Sequence, residues 1–309
     1  MKKTPKLCVL GLCGRSVFMQ LEHFHRLEET LHAQAIHIEP GGKGYNQAVA
    51  AARMGAEVTF LGCCGRDEDA EACRTFLETE GIKPVLEYRE DRSTALAVIL
   101  TDAKGENRVT VYAGAGALLS AGHIRAHESE IASSDMLLLN LEYPMETNLA
   151  AAEIAQGHGV PVLLNPAPGK EGIEELLPLV QICTPNRSEL GFLPGAVPGK
   201  MKETAGNLRT GGPDTVIVTM GGDGALLLHC GHSWHFPAIK CSPIDTTGAG
   251  DCFNGALAAS LAGGMGLSDA VVLAQNAAAL SVGKRYVMPS LPEKRQVEEN
   301  FCSIEPEEI

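Results

Sequence analysis

Short runs of unbroken apolar residues alternate with longer segments of helical period along most of this chain. Leu7–Leu12, Val58–Gly62, Met136–Leu139, Val162–Leu164, Gln181–Cys183 and Thr215–Thr219 read as strands buried on both faces. Between most of them lie segments of helical spacing: Gly44–Met54, Glu68–Glu80, His123–Ala132, Glu146–Gly157, Glu171–Leu177 and Lys200–Thr210. This alternation predicts an α/β fold with a doubly wound, mainly parallel central sheet flanked by helices. Two stretches break the pattern. Phe18–Pro40 and Val85–Tyr112 read as strands with no helix between them, and Lys104-Gly105-Glu106-Asn107 suits a turn joining two of those strands. After Thr219 the pattern predicts a hairpin over Ala225–Phe236 and two long helices, Asp251–Ala262 and Ser268–Val282.

The strongest chemical signal stands where a polar segment meets the first of those long helices, at Asp245-Thr246-Thr247-Gly248-Ala249-Gly250-Asp251. Small residues let the backbone turn tightly with its N–H groups outward, and the helix N-terminus adds partial positive charge. That combination attracts anions. A carboxylate in the same turn makes chemical sense if it takes a proton from a hydroxyl that attacks a phosphate. The plainer alternative is a turn followed by an acid that the helix dipole favours. A second glycine-rich run, Gly41-Gly42-Lys43-Gly44-Tyr45-Asn46-Gln47, also precedes a helix, with a cation and an amide at its mouth. It suits close approach to a hydroxylated ligand, or an ordinary turn and cap.

Composition narrows the class. The 309 residues, 45% of them hydrophobic, suit one large α/β domain with a small appendage. A net charge of −13 and the lack of a basic stripe argue against nucleic acid as a partner. The ten cysteines are scattered with no C-x-x-C pair and read as reduced, buried, small apolar residues. After Lys2 and Lys3 the apolar run Leu7–Cys13 is cut short by Arg15, so no export signal is expected, and no apolar run approaches a membrane span. A cytoplasmic location follows as the expectation.

Other chemistries fail on spacing. Gly11-Leu12-Cys13-Gly14 does not match the G-x-G-x-x-G of a dinucleotide fold. Pro194–Met201 lacks the first glycine and the hydroxyl residue of a G-x-x-x-x-G-K-[ST] loop. His229, Cys230, His232 and His235 crowd one hairpin, but positions 229, 232 and 235 do not share a strand face, which speaks against a metal there.

Taken together, the two glycine-rich runs resemble the two signatures of the ribokinase family of sugar kinases, the phosphofructokinase-B type. Further pieces fall in the family's order: Asn140-Leu141-Glu142, Asn165-Pro166-Ala167-Pro168, Thr184-Pro185-Asn186-Arg187-Ser188-Glu189, Thr219-Met220-Gly221-Gly222-Asp223-Gly224, and Ala277 to Pro292. The resemblance spans nearly the whole chain. It implies a single ribokinase-like domain over residues 1–309, with the strands within about 14–40 and 85–112 forming a small β lid over the sugar site. Closing such a lid excludes water, which competes for the phosphoryl group.

The resemblance also implies roles. Asp251 corresponds to the catalytic base, and the N–H groups of Gly248, Ala249 and Gly250 to an anion hole. Gly41, Gly42, Lys43, Gly44 and Asn46 line the sugar pocket, with Glu142 holding a further hydroxyl. Asn186 and Glu189 resemble the N-x-x-E pair that organises Mg²⁺ and the ATP phosphates, although a helix cap with a first-turn acid looks the same in sequence. Thr219, Gly221, Gly222 and Gly224 contact the nucleotide, and Gln275 and Asn276 lie near its base. Asp245, Thr247, Ser281, Lys284, Tyr286 and Ser290 fall at the positions of a monovalent cation (K⁺) site. Tyr286 stands where the family usually has Gly, and a left-handed backbone there would strain it. A homodimer paired through lid strands is expected.

One departure bears on the acceptor. Gly14-Arg15-Ser16 replaces the Asn and Asp with which ribokinases grip sugar hydroxyls, Gly14 for the Asn and Ser16 for the Asp. Losing the carboxylate removes a charge-assisted hold on a diol and leaves room for a bulkier substrate, while Arg15 suits a carboxylate or phosphate on it. Three readings stay open: a kinase acting on a hydroxymethyl group of a sugar or modified sugar, a nucleoside kinase whose base fills the space at Gly14 and Ser16, or a non-catalytic nucleotide- or sugar-binding relative.

Overall fold

The structure, a computed structural model, describes residues 3–309. Lys2, invoked above with Lys3, lies outside the described residues. The elements run β1 (Lys6–Leu10), β2 (Gly14–Gln20), β3 (Ala35–Gly41), α1 (Lys43–Arg53), β4 (Glu57–Gly65), α2 (Glu68–Thr79), β5 (Lys83–Arg89), β6 (Ala95–Thr101), β7 (Asn107–Tyr112), α3 (Ala121–Ala126), α4 (Glu128–Ala132), β8 (Met136–Asn140), α5 (Met145–Gly157), β9 (Val162–Asn165), β10 (Ile182–Cys183), α6 (Arg187–Leu190), α7 (Met201–Thr210), β11 (Thr215–Thr219), β12 (Ala225–His229), β13 (His232–Phe236), α8 (Ala249–Ala262), α9 (Leu267–Ser281), α10 (Lys294–Glu299) and β14 (Glu307–Glu308).

A ten-stranded sheet has the order β14-β13-β12-β11-β10-β9-β8-β1-β4-β5. From β11 to β5 every pairing is parallel; β12, β13 and β14 extend one edge antiparallel. Successive residues of β1 serve opposite faces. Leu7 and Val9 join the core beneath α1, α8 and α9, whereas Cys8 and Leu10 join the core beneath α5 and α7. This is the continuous burial that the unbroken apolar runs predict. The chain leaves β1 toward β4 on one side and returns to β8 on the other, so strand order reverses between β1 and β8. In an open α/β sheet that reversal opens a crevice at the strands' carboxyl ends.

A second, four-stranded sheet has the order β3-β2-β6-β7, with β2 and β6 parallel and the outer pairs antiparallel. Several expectations need correction. Lys83–Arg89 pairs with β4 and belongs to the large sheet, so Val85–Arg89 contributes nothing to the small one. Glu171–Leu177 forms no helix: Gly172 takes a left-handed φ of +79°, Pro178 follows, and only a short tight turn forms at Leu177–Leu179 while Ile173, Leu176 and Leu177 are buried. His123–Ala132 is two short helices broken at His127.

Two close backbone approaches fix the crevice. A Cβ on Gly44 would lie 2.4 Å from the Cα of Gly11, so α1 starts flush against the end of β1. A Cβ on Gly255 would lie 2.4 Å from the carbonyl oxygen of Gln47 and 2.6 Å from Cβ of Ala50, so α8 presses directly on α1. Gly255→Ala is expected to cost on the order of 1–3 kcal/mol, read as a lowered denaturant midpoint at unchanged m-value.

Candidate functional site

The crevice is built from strand ends. Asn140, at the end of β8, donates to the carbonyl of Leu10 at 2.8 Å, and the Tyr143 hydroxyl donates to the carbonyl of Gly11, tying the two sides of the switch point together. Between them sits Glu142. Its carboxylate accepts the N–H groups of Lys43 (2.9 Å), Gly44 (3.1 Å) and Leu12 (3.1 Å). Gly42, at φ +131°, offers α1 no side-chain cap, so Glu142 supplies from another strand the anion that the helix start attracts.

Asp251 enters from the other side, in the first turn of α8, and is 8% exposed. Asn46 donates to its Oδ2 at 2.8 Å and Gln47 to its Oδ1 at 3.1 Å, so two amides of α1 hold the two carboxylate oxygens. Gln47 also donates to Asn165 (3.0 Å), Asn165 to the carbonyl of Thr184 (3.0 Å), Thr184 to Asn254 (2.5 Å), and Asn254 back to the carbonyl of Gly250 (2.8 Å). This buried circuit starts and ends on the first turns of α8. Gly248 opens that helix at φ +79°, against the side chain of Val287. The Ala249 N–H reaches the carbonyl of Thr246 at a long 3.3 Å, whereas the N–H groups of Gly248, Gly250 and Asp251 have no partner among the described residues. Asn46 Oδ1 and Gln47 Oε1 are likewise buried and unpartnered, which in a site points to a ligand's donor.

Burial pushes the Asp251 carboxyl up, against the charge of Lys43 and the hydrogen bonds of Asn46 and Gln47. Glu142 is raised by burial against three backbone N–H groups and Lys43. Glu189 is raised by burial, with the charge of Asp251 adding to it. Burial pulls the Lys43 ammonium down, but Asp251, Glu142 and Glu189 together hold it above its ordinary value. One cation thus lies within the field of three carboxylates. The arrangement joins a proton acceptor to helix-end N–H groups that attract an anion.

Asn186 and Glu189 form a reciprocal cap on α6: Asn186 Oδ1 accepts the Glu189 N–H at 2.8 Å and Glu189 Oε2 accepts the Asn186 N–H at 2.9 Å. Thr219 donates its N–H to the carbonyl of Pro185, which sets the Thr219–Gly224 turn beside that cap. Gly221 and Gly224 take φ of +58° and +87°, Gly222 stands in open space, and Arg187 bridges to Asp223 at 2.6 Å. Gly224 abuts Phe236–Ala238, and Gln275 borders the same segment, donating to the carbonyl of Pro237 at 3.3 Å.

Asn276 does not join it. Its side chain is 2% exposed, donates to the carbonyls of Val272 (2.9 Å) and Cys302 (3.0 Å) and accepts the Cys302 N–H (2.7 Å), so it anchors the C-terminal tail. Arg15 also points elsewhere: it pairs with Asp69 of α2 at 2.8 Å, because its neighbours Gly14 and Ser16 take the opposite face of β2. A Cβ at Gly14 would lie 2.6 Å from the carbonyl oxygen of Ala95, so β6 already fills that side of the glycine. Ser16 does face the crevice, its hydroxyl 2.5 Å from where a Cβ on Gly41 would be, and that Cβ 3.7 Å from Asn46 Oδ1.

Asp245 pins two loops, accepting the N–H groups of Thr247 (2.9 Å) and Tyr286 (3.0 Å). Tyr286 adopts the left-handed φ of +67° despite its side chain, and its ring stacks on His37 at 3.9 Å. Lys284 donates its N–H to the carbonyl of Ser281, and the Ser290 hydroxyl donates to the carbonyl of Val287. The hairpin histidines disperse: His229 bonds Thr215 and Cys230, His232 pairs with Glu308, and His235 meets the carbonyl of Asp223. Gln47, Asn165, Thr184, Asn254 and Gly11 shape the site without having been singled out for it. Gln47, Asn165 and Thr184 lie within the motifs that carry the family resemblance, Gly11 opens the short run Gly11-Leu12-Cys13-Gly14 that matches no binding loop, and nothing local marks Asn254.

The pattern of the pfkB family of carbohydrate kinases matches residues 4–294. The ribokinase of Haemophilus influenzae is 36% identical over 300 residues, covering 96% of this chain and 97% of that protein. The structure of Arabidopsis thaliana ribokinase complexed with ribose and ATP is similar at a TM-score of 0.87 and 25% identity, covering 97% of this chain and 100% of that one. Thermotoga maritima ribokinase gives 0.85 at 31% identity, covering 96% and 99%.

Gln47→Leu is expected to raise the Asp251 carboxyl further, because a hydrogen bond to the charged form lowers a carboxyl's pKa and its loss does the reverse. Carboxyl ¹³C NMR titration reads this; an Asp251 midpoint at or below the parental one would contradict the arrangement.

Proposed function

The chain belongs to the pfkB family of carbohydrate kinases, phosphotransferases with an alcohol acceptor, and on that premise we propose that it transfers the γ-phosphoryl group of ATP to a hydroxymethyl group of a sugar or modified sugar. The observation that carries this reading is the Asp251 carboxylate, held at both oxygens by α1, in a helix turn where the N–H groups of Gly248, Gly250 and Asp251 have no partner among the described residues. Asp251 takes the proton of the acceptor hydroxyl. The hydroxyl oxygen bonds to the γ-phosphorus, and the bond from that phosphorus to the bridging oxygen of ADP breaks. Gly248, Ala249 and Gly250 direct N–H groups at the charge that develops, with Ala249 giving up a long bond to do so.

Gly41, Gly42, Lys43, Gly44 and Asn46 line the acceptor side, where the orphaned Asn46 Oδ1 suits a sugar hydroxyl. Glu142 contributes chiefly by fixing α1, since its oxygens already accept three N–H groups. Ser16 offers one hydroxyl at the lid wall where a carboxylate would grip a diol, so ribose is not favoured over other sugars. Thr219, Gly221, Gly222, Gly224 and Gln275 border the nucleotide. Asn186 and Glu189 would hold Mg²⁺ chiefly through the Glu189 carboxylate oxygen that the reciprocal cap leaves over, and the ion when bound neutralises phosphate charge. Asp245, Thr247, Ser281, Lys284, Tyr286 and Ser290 are the residues that would hold K⁺; the Asp245 carboxylate, which joins Thr247 to Tyr286, is the contact that supports this.

All ten cysteines are unpaired and seven are buried, as suits the cytoplasm. No described helix is long and apolar enough to cross a membrane. On the lid, Val17, Met19, Ile36, Ile38, Leu96, Val98 and Leu100 share one face by register, and Ile36 and Ile38 are 59% and 44% exposed. That apolar face supports a homodimer formed lid to lid.

ADP release with Mg²⁺–ATP across pentoses, hexoses, sugar phosphates, sugar acids and nucleosides tests the reading. Turnover is expected on a sugar class, with Asp251→Asn lowering kcat by roughly 10²–10⁴-fold while ATP still binds. Nucleoside turnover alone, or parental activity in the variant, would overturn it. Because Asp251 is raised above its ordinary value and works deprotonated, kcat/KM is expected to fall on acidification at a higher pH than an unperturbed Asp would dictate, and to hold toward neutral pH.

A further inference from the structure

We propose that Glu39, on lid strand β3, is a positioning residue for phosphoryl transfer: through the loop Tyr286–Met288 it fixes the turn that opens α8. The proposal rests on the kinase reading above, but its geometry does not. Glu39 is 6% exposed. Its Oε1 accepts the N–H groups of Val287 (2.9 Å) and Met288 (3.3 Å), and its Oε2 meets His37 Nε2 at 2.9 Å. A buried carboxylate committed to the backbone of a distant loop orders that loop, because replacing it leaves two buried donors without partners.

The same loop touches the anion-binding turn twice. Val287 packs on Gly248, whose Cβ, if present, would lie 2.7 Å from Val287 Cγ1. The Tyr286 N–H binds Asp245, whose other oxygen holds the Thr247 N–H. Tyr286 itself is kept in its left-handed conformation by stacking on His37, at 3.9 Å and 15° between planes, with Phe18 edge-on at 5.3 Å. His37 and Phe18 are lid residues, so the lid grips the loop from both strands β2 and β3.

Glu39 also lies three residues before Gly42, where β3 runs straight into α1. One carboxylate therefore sets the distance between the two segments that must meet for transfer: the start of α1, carrying Lys43 and Asn46, and the start of α8, carrying Asp251 and the free N–H groups. Seating of the lid and shaping of the anion turn become one event rather than two.

Glu39→Ala in the full chain, assayed well below its own thermal midpoint, is expected to lower kcat by roughly 10–100-fold, the size of effect a misplacement of about 1 Å produces. KM for both substrates should stay within about threefold, since the lost interaction acts on the transition state. Glu39→Gln, whose amide oxygen still accepts both N–H groups, should recover most of the loss. Hydrogen exchange gives a readout independent of turnover: in Glu39→Ala, amides at 286–288 and also the hydrogen-bonded amides of Asp245, Thr247 and Ala249 should exchange faster, while those of β1, β8 and β9 keep parental protection. Parental exchange at Asp245, Thr247 and Ala249, or parental kcat in a folded Glu39→Ala, would overturn the proposal even if the kinase reading stands. A protein with no kinase activity but with the expected exchange pattern would sink the kinase reading and leave the linkage intact. Should the alanine variant not fold, Glu39→Asp is one methylene too short to reach both donors. It should show the same exchange pattern at smaller size, and parental exchange there would equally overturn the proposal.

Discussion

The contact of α8 on α1 at Gly255 governs the site. Asp251 and Gly255 are one helical turn apart on α8, as are Asn46 and Gln47 from Ala50 and Ala51 on α1. Backbone-to-backbone packing at Gly255 therefore places the amides of one helix within hydrogen-bond distance of the carboxylate of the other. A larger residue at 255 would part the helices by more than a hydrogen bond tolerates. The Gly11–Gly44 contact does the same work at the start of α1, bringing its first N–H groups to Glu142.

The two carboxylates of the crevice are held by different kinds of partner, and this separates what each can do. Glu142 faces three backbone donors whose positions are set by a helix start and a strand end, so it acts as part of the scaffold. Asp251 faces side-chain amides, one of which is itself held by Asn165. Its burial raises its affinity for a proton while its geometry stays fixed. In a chain of net charge −13, attraction of an anion depends on local features: the free N–H groups of α8 and the Lys43 ammonium, which three carboxylates keep charged.

The small sheet is more than a cover. Its inner face carries Ser16, Phe18, His37 and Glu39, and the last three are engaged with the loop that abuts Gly248. Its outer face is apolar and partly exposed. The inner face is thus tied to the turn that opens α8.

Periodicity along the chain determined the parallel sheet, its flanking helices and the two glycine-rich turns, because these follow from local backbone preference and from burial on one or both faces. It misjudged Glu171–Leu177, where apolar spacing looked helical but Gly172 and Pro178 forbid the helix. The family resemblance placed Val85–Arg89 among the lid strands, whereas it pairs with β4, since a strand's membership depends on a partner distant in sequence. The site motifs were legible as runs, yet not the direction of each side chain within them. Adjacent residues on a helix point about 100° apart, which sends Gln275 toward Pro237 and Asn276 to the tail at Cys302. Strand alternation turns Arg15 to Asp69 and Ser16 to the crevice. The sequence by itself thus determined which chemistry the chain carries, through local backbone geometry and residue type. Only the tertiary structure decided which groups meet, because hydrogen-bond partners such as Gln47 and Asp251, or Glu39 and Val287, are joined by packing between segments far apart in the chain.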